Sequence, residues 1–452
     1  MRELISLHVG QCGNQVGIEF LKMLCNQHNI DPLGNAKSAT SSSNERKDIF
    51  FREDDSGRFV PRSILIDTEP RVLDRISKGQ IQGLLDPENM VMPQKEGSGS
   101  GNNWMKGYEF GEMYDEQIVD VIVREARHCD SLEGFLLLHS TAGGTGSGVG
   151  SRILERLSDC FPTKVIQTYT VFPHNKKDAA DTTVQPYNTI LTLRKLIEHA
   201  SAVVVLDNDA LNNIAQNTLR VENPQMEHIN QFVSTVMDLS TSTLRFPGYT
   251  HNTLEGIIAS LCPFPRNQFL MCSCAPLMTQ ATQQQHLRST QVGEIMERLL
   301  NRENRLVSYV NTSGSGYYLS ALDVLRGRSE EDVNGRQLMG AYRRIWDQKL
   351  ITFAPWLSSS LEVAVTTKSP HVVQQNKVTG LMIANHTGIA ALMKNFQSQF
   401  DKMYKQGSFL HMFEGVKLFE GTAKAEFDEA REVVQSTVDE YKQMEKPDFV
   451  SW

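Results

Sequence analysis

The chain contains no apolar run approaching the roughly 18 residues that cross a bilayer, which leaves no candidate membrane-spanning helix. Its first residues, Met1-Arg2-Glu3-Leu4, lack the basic-then-apolar order of a secretory signal. No run of Lys or Arg is present, and a net charge of −8 provides no basic field for nucleic-acid phosphates. Cysteine is scarce. The seven, at 12, 25, 129, 160, 262, 272 and 274, are odd in number and do not read as a disulfide framework in so long a chain. Cys272-Ser273-Cys274 has no second Cys or His pair at zinc spacing, so these read as buried strand thiols. No internal repeat is visible. The absences together point to a cytosolic globular protein with neither membrane nor nucleic acid as partner. At 452 residues the chain exceeds one ordinary core, so two or three domains are expected.

What the chain does have is glycine at the ends of buried strands. The run Ala142-Gly143-Gly144-Thr145-Gly146-Ser147-Gly148 follows the apolar stretch 134–140, which ends in His139-Ser140, and precedes helical spacing from Val149 to Leu157. A strand-to-helix turn of this composition brings backbone amides close to a ligand, and the new helix aims its unpaired N–H groups at the same spot. It suits an anion, phosphate above all. No Lys follows the glycines, so it is not a Walker loop, and it fits the dinucleotide fingerprint poorly. By itself such a turn is read equally well as close helix–strand packing. If the amides do face phosphate, a Cβ at Gly144 is expected to block its approach.

Two further turns repeat the arrangement. Gly10-Gln11-Cys12-Gly13-Asn14-Gln15 converts an opening strand, Glu3 to Val9, into a helix running to about Gln27. Gly97-Ser98-Gly99-Ser100-Gly101-Asn102-Asn103-Trp104 is the third, followed by an amphipathic helix expected from about Gly111 to His128. Ser63-Ile64-Leu65-Ile66 ends in Asp67-Thr68-Glu69, two carboxylates at a strand's C-terminal edge able to hold magnesium, or else a solvated turn with a helix cap. Ser38 to Asn44 is polar and low in complexity and reads as an exposed loop. Strands at 165–171 and 202–206 with a helix from Pro186 to His199 complete an alternation that predicts a parallel sheet covered on both faces over residues 1–208. Three glycine-rich turns on one such sheet would converge on one ligand. Residues 209–248 read as a core helix and connection, 249–380 as a second α/β domain, and 381–452 as a C-terminal helical region.

Taken together, Gly10 to Gln15, Gly101 to Trp104 and Gly143 to Gly148 resemble tubulin signatures in order and separation, and the resemblance runs the length of the chain. Smaller marks are similar to the γ-tubulin family: Glu69-Pro70-Arg71, Asp86-Pro87-Glu88-Asn89, Asp130 to Gly134, Ala142 opening the glycine run, Pro247-Gly248-Tyr249, Lys368-Ser369-Pro370, Ala384-Asn385-His386-Thr387 and the aromatic ending Asp448 to Trp452. The α and β families end instead in a polyacidic tail. The turn Pro355-Trp356-Leu357-Ser358-Ser359 and the loop near residue 40 depart from the pattern. The fold implied is tubulin-like: a doubly wound parallel-sheet GTP-binding domain, a second α/β domain and C-terminal helices.

The resemblance implies GTP or GDP with Mg2+ as cofactors. Phosphates would lie against Gly143, Gly144, Thr145 and Gly146, with Ser140, Ala142, Ser147 and Gly148 in the same turn and Gln11, Cys12, Gln15, Ser100, Gly101 and Asn102 on the other side. Asp67 and Glu69 would manage the metal, Asp181 and Gln185 the ribose, and Asn208 and Asn230 the guanine edge, where an amide offers both donor and acceptor. Met226 stands where the family places a base-stacking aromatic ring, although it also lies on the apolar stripe of its helix. Asn208 is equally a turn residue after a strand. Partners implied are αβ-tubulin through a longitudinal contact with α-tubulin, other copies laterally, and γ-tubulin complex adaptor proteins. The location implied is the cytoplasm, in the cytoskeleton at a microtubule-organising centre. An α/β-like lattice subunit and a dinucleotide-dependent enzyme are the alternatives. Gly256 occupies the position of the α-tubulin Glu that orients attacking water, with Glu255 one residue earlier and about 100° around the helix.

Overall fold

A computed structural model of the chain describes residues 2–37, 45–93, 99–174, 183–218, 225–277, 291–308, 316–328, 332–358, 361–372 and 376–449. The Ser38–Asn44 loop, Gly97, Ser98, Asp181 and the last three residues lie outside this set. The strands are β1 (Glu3–Val9), β2 (Phe51–Glu53), β3 (Phe59–Pro61), β4 (Ser63–Ile66), β5 (Met90–Val91), β6 (Leu132–Ser140), β7 (Val165–Phe172), β8 (Ala202–Asp207), β9 (Phe269–Ala275), β10 (Tyr318–Gly327), β11 (Leu361–Thr367) and β12 (Val378–His386). Ten of them form one sheet in the order β11-β10-β12-β9-β8-β7-β6-β1-β4-β5, while β2 and β3 pair separately. From β5 to β9 every pairing is parallel. β12 runs antiparallel to both β9 and β10, and β10 is parallel to β11.

Both faces of the sheet are covered, and the period-2 alternation of each strand divides its side chains between two cores. Phe135 and Leu137 of β6, like Val203 and Val205 of β8, pack with Trp104, Ile153, Leu154, Tyr187 and Leu193 on one face. Leu136, Leu138, Val204 and Leu206 point the other way, against Phe20, Leu24, Val233 and Met237 from helices Gly10–His28 and Met226–Ser240. The expected sheet covered on both faces is therefore present over β1 and β4 to β8. It continues beyond them: β8 pairs with β9, and this joins the second α/β half to the first in one sheet.

Two expectations need correction. The helix expected from Gly111 to His128 is two helices, Trp104–Met113 and Asp115–Arg127, because Asn103 caps a start seven residues earlier by accepting from the amides of Met105 and Lys106, and the chain breaks at Tyr114. The boundary placed at 380 falls inside β12, so residues 381–386 of the expected helical region are a central strand of the second half. Beyond it the chain is helical, in Ile389–Lys405 and Ala423–Gln443.

From β1 the chain moves outward to β4 and β5 on one side and then to β6, β7 and β8 on the other. The topological switch therefore lies between β1 and β6, and the crevice at their carboxyl ends is where an open α/β sheet receives a ligand.

Candidate functional site

At that crevice the loops after β1 and β6 touch. Gly10 turns with a φ of +74°, and a Cβ on it would stand 2.8 Å from the amide nitrogen of Gly146. The glycine run is wound rather than extended: Thr145–Val149 is a π-helical turn leading into helix Gly150–Cys160. Most of its glycines serve packing. A Cβ at Gly148 would overlap the carbonyl oxygen of Trp104, one at Gly146 would lie 2.9 Å from Ser140 O, and one at Gly144 would lie 2.7 Å from both Asn103 N and Ser100 Cβ. The expected role of Gly144 is thereby corrected, since its Cβ direction leads into the neighbouring 100–103 loop and not into ligand space. Gly143 differs. Its nearest atom would be Asn102 Oδ1 at 3.8 Å, so it alone of the four turns an unobstructed face outward.

The crevice is a cleft of about 390 Å³. Gln11, Cys12 and Gln15 enter it from the first turns of helix Gly10–His28, Asp67 and Glu69 from the end of β4, and Asn102 from the third glycine turn. Ser140, Ala142, Gly143, Gly144, Thr145 and Gly146 form the wall after β6, and Gln185, Asn208, Met226 and Asn230 close the far end. Four expected residues are not on the wall. Ser147 and Gly148 are buried behind it, with the Ser147 hydroxyl donating to Gly143 O. Ser100 is buried in a hydroxyl cluster with Thr68 and Thr145, whose Oγ1 atoms are 2.6 Å apart, and Gly101, at φ +53°, is exposed with open space around it. Asp181 lies outside the described residues.

Charge in the cleft is controlled by burial. Asp67 is 2% exposed, accepts from the Glu69 amide at 3.0 Å and lies 3.5 Å from Asn14 Nδ2. Burial pushes its carboxyl up to about 6, with the Glu69 charge adding to the effect. A divalent cation bound there would favour the ionised form. With Glu69 on the same cleft, the carboxylate pair suits Mg2+, which takes one or two protein carboxylates and completes its shell with phosphates and water. Burial also pushes the Cys12 thiol up to about 12, so it lines the cleft as a neutral group. Behind the wall His139 donates from Nδ1 to Gly146 O at 3.0 Å, which leaves Nε2 to accept from Thr170 Oγ1 at the same distance, and burial holds the ring down to about 4.

At the far end Asn208 opens helix Asn208–Asn213, capped by Asp207, so it is not a plain turn residue. Asn230 Nδ2 donates to Gln15 Oε1 at 3.3 Å, linking the two helices that flank the cleft. Met226 is the first residue of its helix and 51% exposed, which removes it from the helix core and leaves its thioether on the cleft wall. Sequence reasoning missed His174, on the wall after β7, whose Nδ1 lies 2.9 Å from Asp209 Oδ1. It also missed Asn14, Thr68, His139 and Asn188. Asn188 carried a usable signal: it follows Gln185 by three residues and so shares its helical face.

The Tubulin/FtsZ family GTPase domain matches residues 3–216, and the tubulin C-terminal domain matches residues 265–398. The chain belongs to the tubulin superfamily. The tubulin GTPase match spans β1 through the helix after β8, and so takes in every loop of the cleft at the sheet's edge. A tubulin GTPase domain implies GTP or GDP as the ligand. The tubulin C-terminal match covers β9 to β12 and most of helix Ile389–Lys405. Helix Met226–Ser240, with Met226 and Asn230, falls between the two. Members of this superfamily assemble into polymers with other tubulin copies. Among the described residues no helix is long and apolar enough to cross a membrane.

Proposed function

We propose that this tubulin is a γ-tubulin, which binds GTP in the cleft and nucleates microtubules from a ring or spiral of copies. The observation that carries the reading is that two of the γ-family marks, Glu69 and Ala142, stand in the wall of the nucleotide cleft, and not on incidental surface. In it, phosphates lie against Gly143 to Gly146, with Gln11, Cys12 and Asn102 opposite, and Mg2+ is held by Asp67 and Glu69. The ribose lies toward Gln185 and Asp181. Asn208 and Asn230 read the guanine edge, and Met226 caps the base with a thioether, a softer partner than an aromatic ring. Ser100 acts at one remove, through the hydroxyls of Thr68 and Thr145.

The role is templating. The α-tubulin of an αβ dimer docks longitudinally on the nucleotide face, copies associate laterally, and adaptor proteins of the γ-tubulin complex hold them at a microtubule-organising centre in the cytoplasm. Helix Leu254–Leu261 supports this over the role of an α-like lattice subunit, because glycine stands at 256 and the exposed carboxylate of the helix, Glu255, lies one residue earlier and about 100° around it.

Two measurements test the proposal. Chromatography of the supernatant after denaturation should release GTP or GDP. Added to αβ-tubulin at a substoichiometric level, the protein should shorten the lag of polymerisation while labelled protein stays at filament ends. Label distributed along the filaments would mean a lattice subunit, and an adenine or nicotinamide nucleotide in the supernatant would mean a different site altogether.

A further inference from the structure

We infer that Asn188 is a positioning residue for the phosphate-facing loops, an inference that rests on the guanine-nucleotide reading of the cleft and deepens it. Its side chain is wholly buried on helix Gln185–His199 and touches neither cleft nor solvent. The amide nitrogen donates to two backbone carbonyls, Asn102 O and Ala142 O, each at 2.8 Å, and Oδ1 accepts from Trp104 N at 3.0 Å. Both donor hydrogens and the acceptor are thus in use, and only this orientation of the amide works, since the reverse would set an oxygen against two carbonyls.

The two carbonyls belong to different glycine-rich loops. Ala142 opens the run after β6 and is followed by Gly143 and Gly144. Asn102 ends the third glycine turn, in the left-handed region at φ +54°, beside Gly101 at +53°. Beyond Thr141, whose amide donates to Val171 O of β7, neither segment is held by the sheet, and glycine adds conformational freedom to both. Amides that bind phosphate must nonetheless be fixed to within fractions of an ångström to form their bonds together. Asn188 supplies a common reference, because its helix is packed into the core through Tyr187, Leu191 and Leu193. A second tie, the hydroxyl contact of Ser100 with Thr145, is longer at 3.4 Å and acts at the inner end of the loops. The first turn of one helix thereby faces the cleft directly with Gln185 and sets its opposite wall with Asn188.

The test compares wild type and Asn188→Asp, which keeps the shape and replaces the double donor by an acceptor. Affinities for GTP, GDP and guanosine are measured on nucleotide-free protein, with hydrogen exchange at residues 100–103 and 141–144. The expected result is a loss of roughly tenfold to a hundredfold for GTP and GDP, the effect of one or two hydrogen bonds, with guanosine unchanged. Exchange in both loops should rise. Equal losses for guanosine and GTP would mean a general structural role and overturn the inference, as would unchanged exchange. If Asn188→Asp does not fold, Asn188→Ala, which buries no charge, gives the same comparison. A wild type that binds none of the three overturns the guanine-nucleotide reading, and the exchange arm still decides whether Asn188 holds the loops.

Discussion

Neighbouring glycines in the run make a paired experiment, because adjacent positions have opposite surroundings. At Gly143 an added methyl meets only Asn102 Oδ1, at 3.8 Å, and the residue is not among those with positive φ, so alanine brings neither clash nor strain. Its methyl would occupy the space through which a phosphate oxygen reaches the backbone. Loss of a hydrogen bond to a charged group costs about 1.5–3 kcal/mol, or roughly tenfold to a hundredfold in affinity. At Gly144 the backbone is helical (φ −72°, ψ −42°), which alanine favours by about 0.5–1 kcal/mol over glycine. Its Cβ would nevertheless stand 2.7 Å from Asn103 N and Ser100 Cβ, and overpacking of this kind costs about 1–3 kcal/mol, so destabilisation prevails. The assay is GDP titration calorimetry on nucleotide-free protein, with thermal unfolding followed by circular dichroism in the absence of ligand. Gly143→Ala should bind GDP more weakly and unfold as wild type does. Gly144→Ala should unfold at a lower temperature before any nucleotide is added. Wild-type GDP affinity in Gly143→Ala would refute the placement of phosphate against that amide, and wild-type stability in Gly144→Ala would refute the packing of the two loops.

Three more expectations follow from the cleft. Met226 is half exposed at the first turn of its helix, so Met226→Phe should be tolerated and should tighten GTP by roughly twofold to tenfold, as an aromatic stack adds about 0.5–1.5 kcal/mol; a lowered unfolding temperature with no gain in affinity would return the residue to the core. Asp67 has its carboxyl raised from 3.8 to about 6, so the folded chain holds its proton more tightly than the unfolded one, and the stability this provides is present below pH 3.8 and lost as pH rises through 6. Asp67→Asn should therefore stabilise the metal-free protein at pH 7, by up to about 3 kcal/mol, and abolish the extra stabilisation that Mg2+ gives to the GDP-bound wild type; an unaltered Mg2+ effect in thermal melts would remove Asp67 from the metal site. Glu255 is exposed beside Gly256, so GTP turnover per molecule should stay low as protein concentration rises and increase only when αβ-tubulin is added. A steep rise for the protein alone, lost in Glu255→Ala, would show that Glu255 reaches a neighbour's nucleotide.

The chemistry of the site was legible in the sequence because its signals are local. Glycine clusters directly after apolar runs mark strand-to-helix turns, and in a parallel sheet all such turns emerge at one edge, so Gln11, Asp67, Asn102 and Gly143 could be expected together before their contacts were known, whereas Asn208 followed only from the resemblance to tubulin. The alternation of strand and helix over the first 208 residues carried the sheet for the same reason. Other features depend on what meets what across long stretches of chain. Val378–His386 has only a short apolar centre, and it is made a strand by pairing with β9 on one side and β10 on the other. The pairing of β8 with β9 turns two expected domains into one sheet, and no periodicity within either half encodes it. The helix start at Trp104 follows from the cap at Asn103, which sits against the glycine run through Gly144. Which glycine faces ligand, which faces protein, and that Asn188 ties two loops 40 residues apart are matters of direction. A Cβ vector or an amide's two hydrogens acquire a meaning only when distant segments are packed around them, and burial at that point converts composition into geometry.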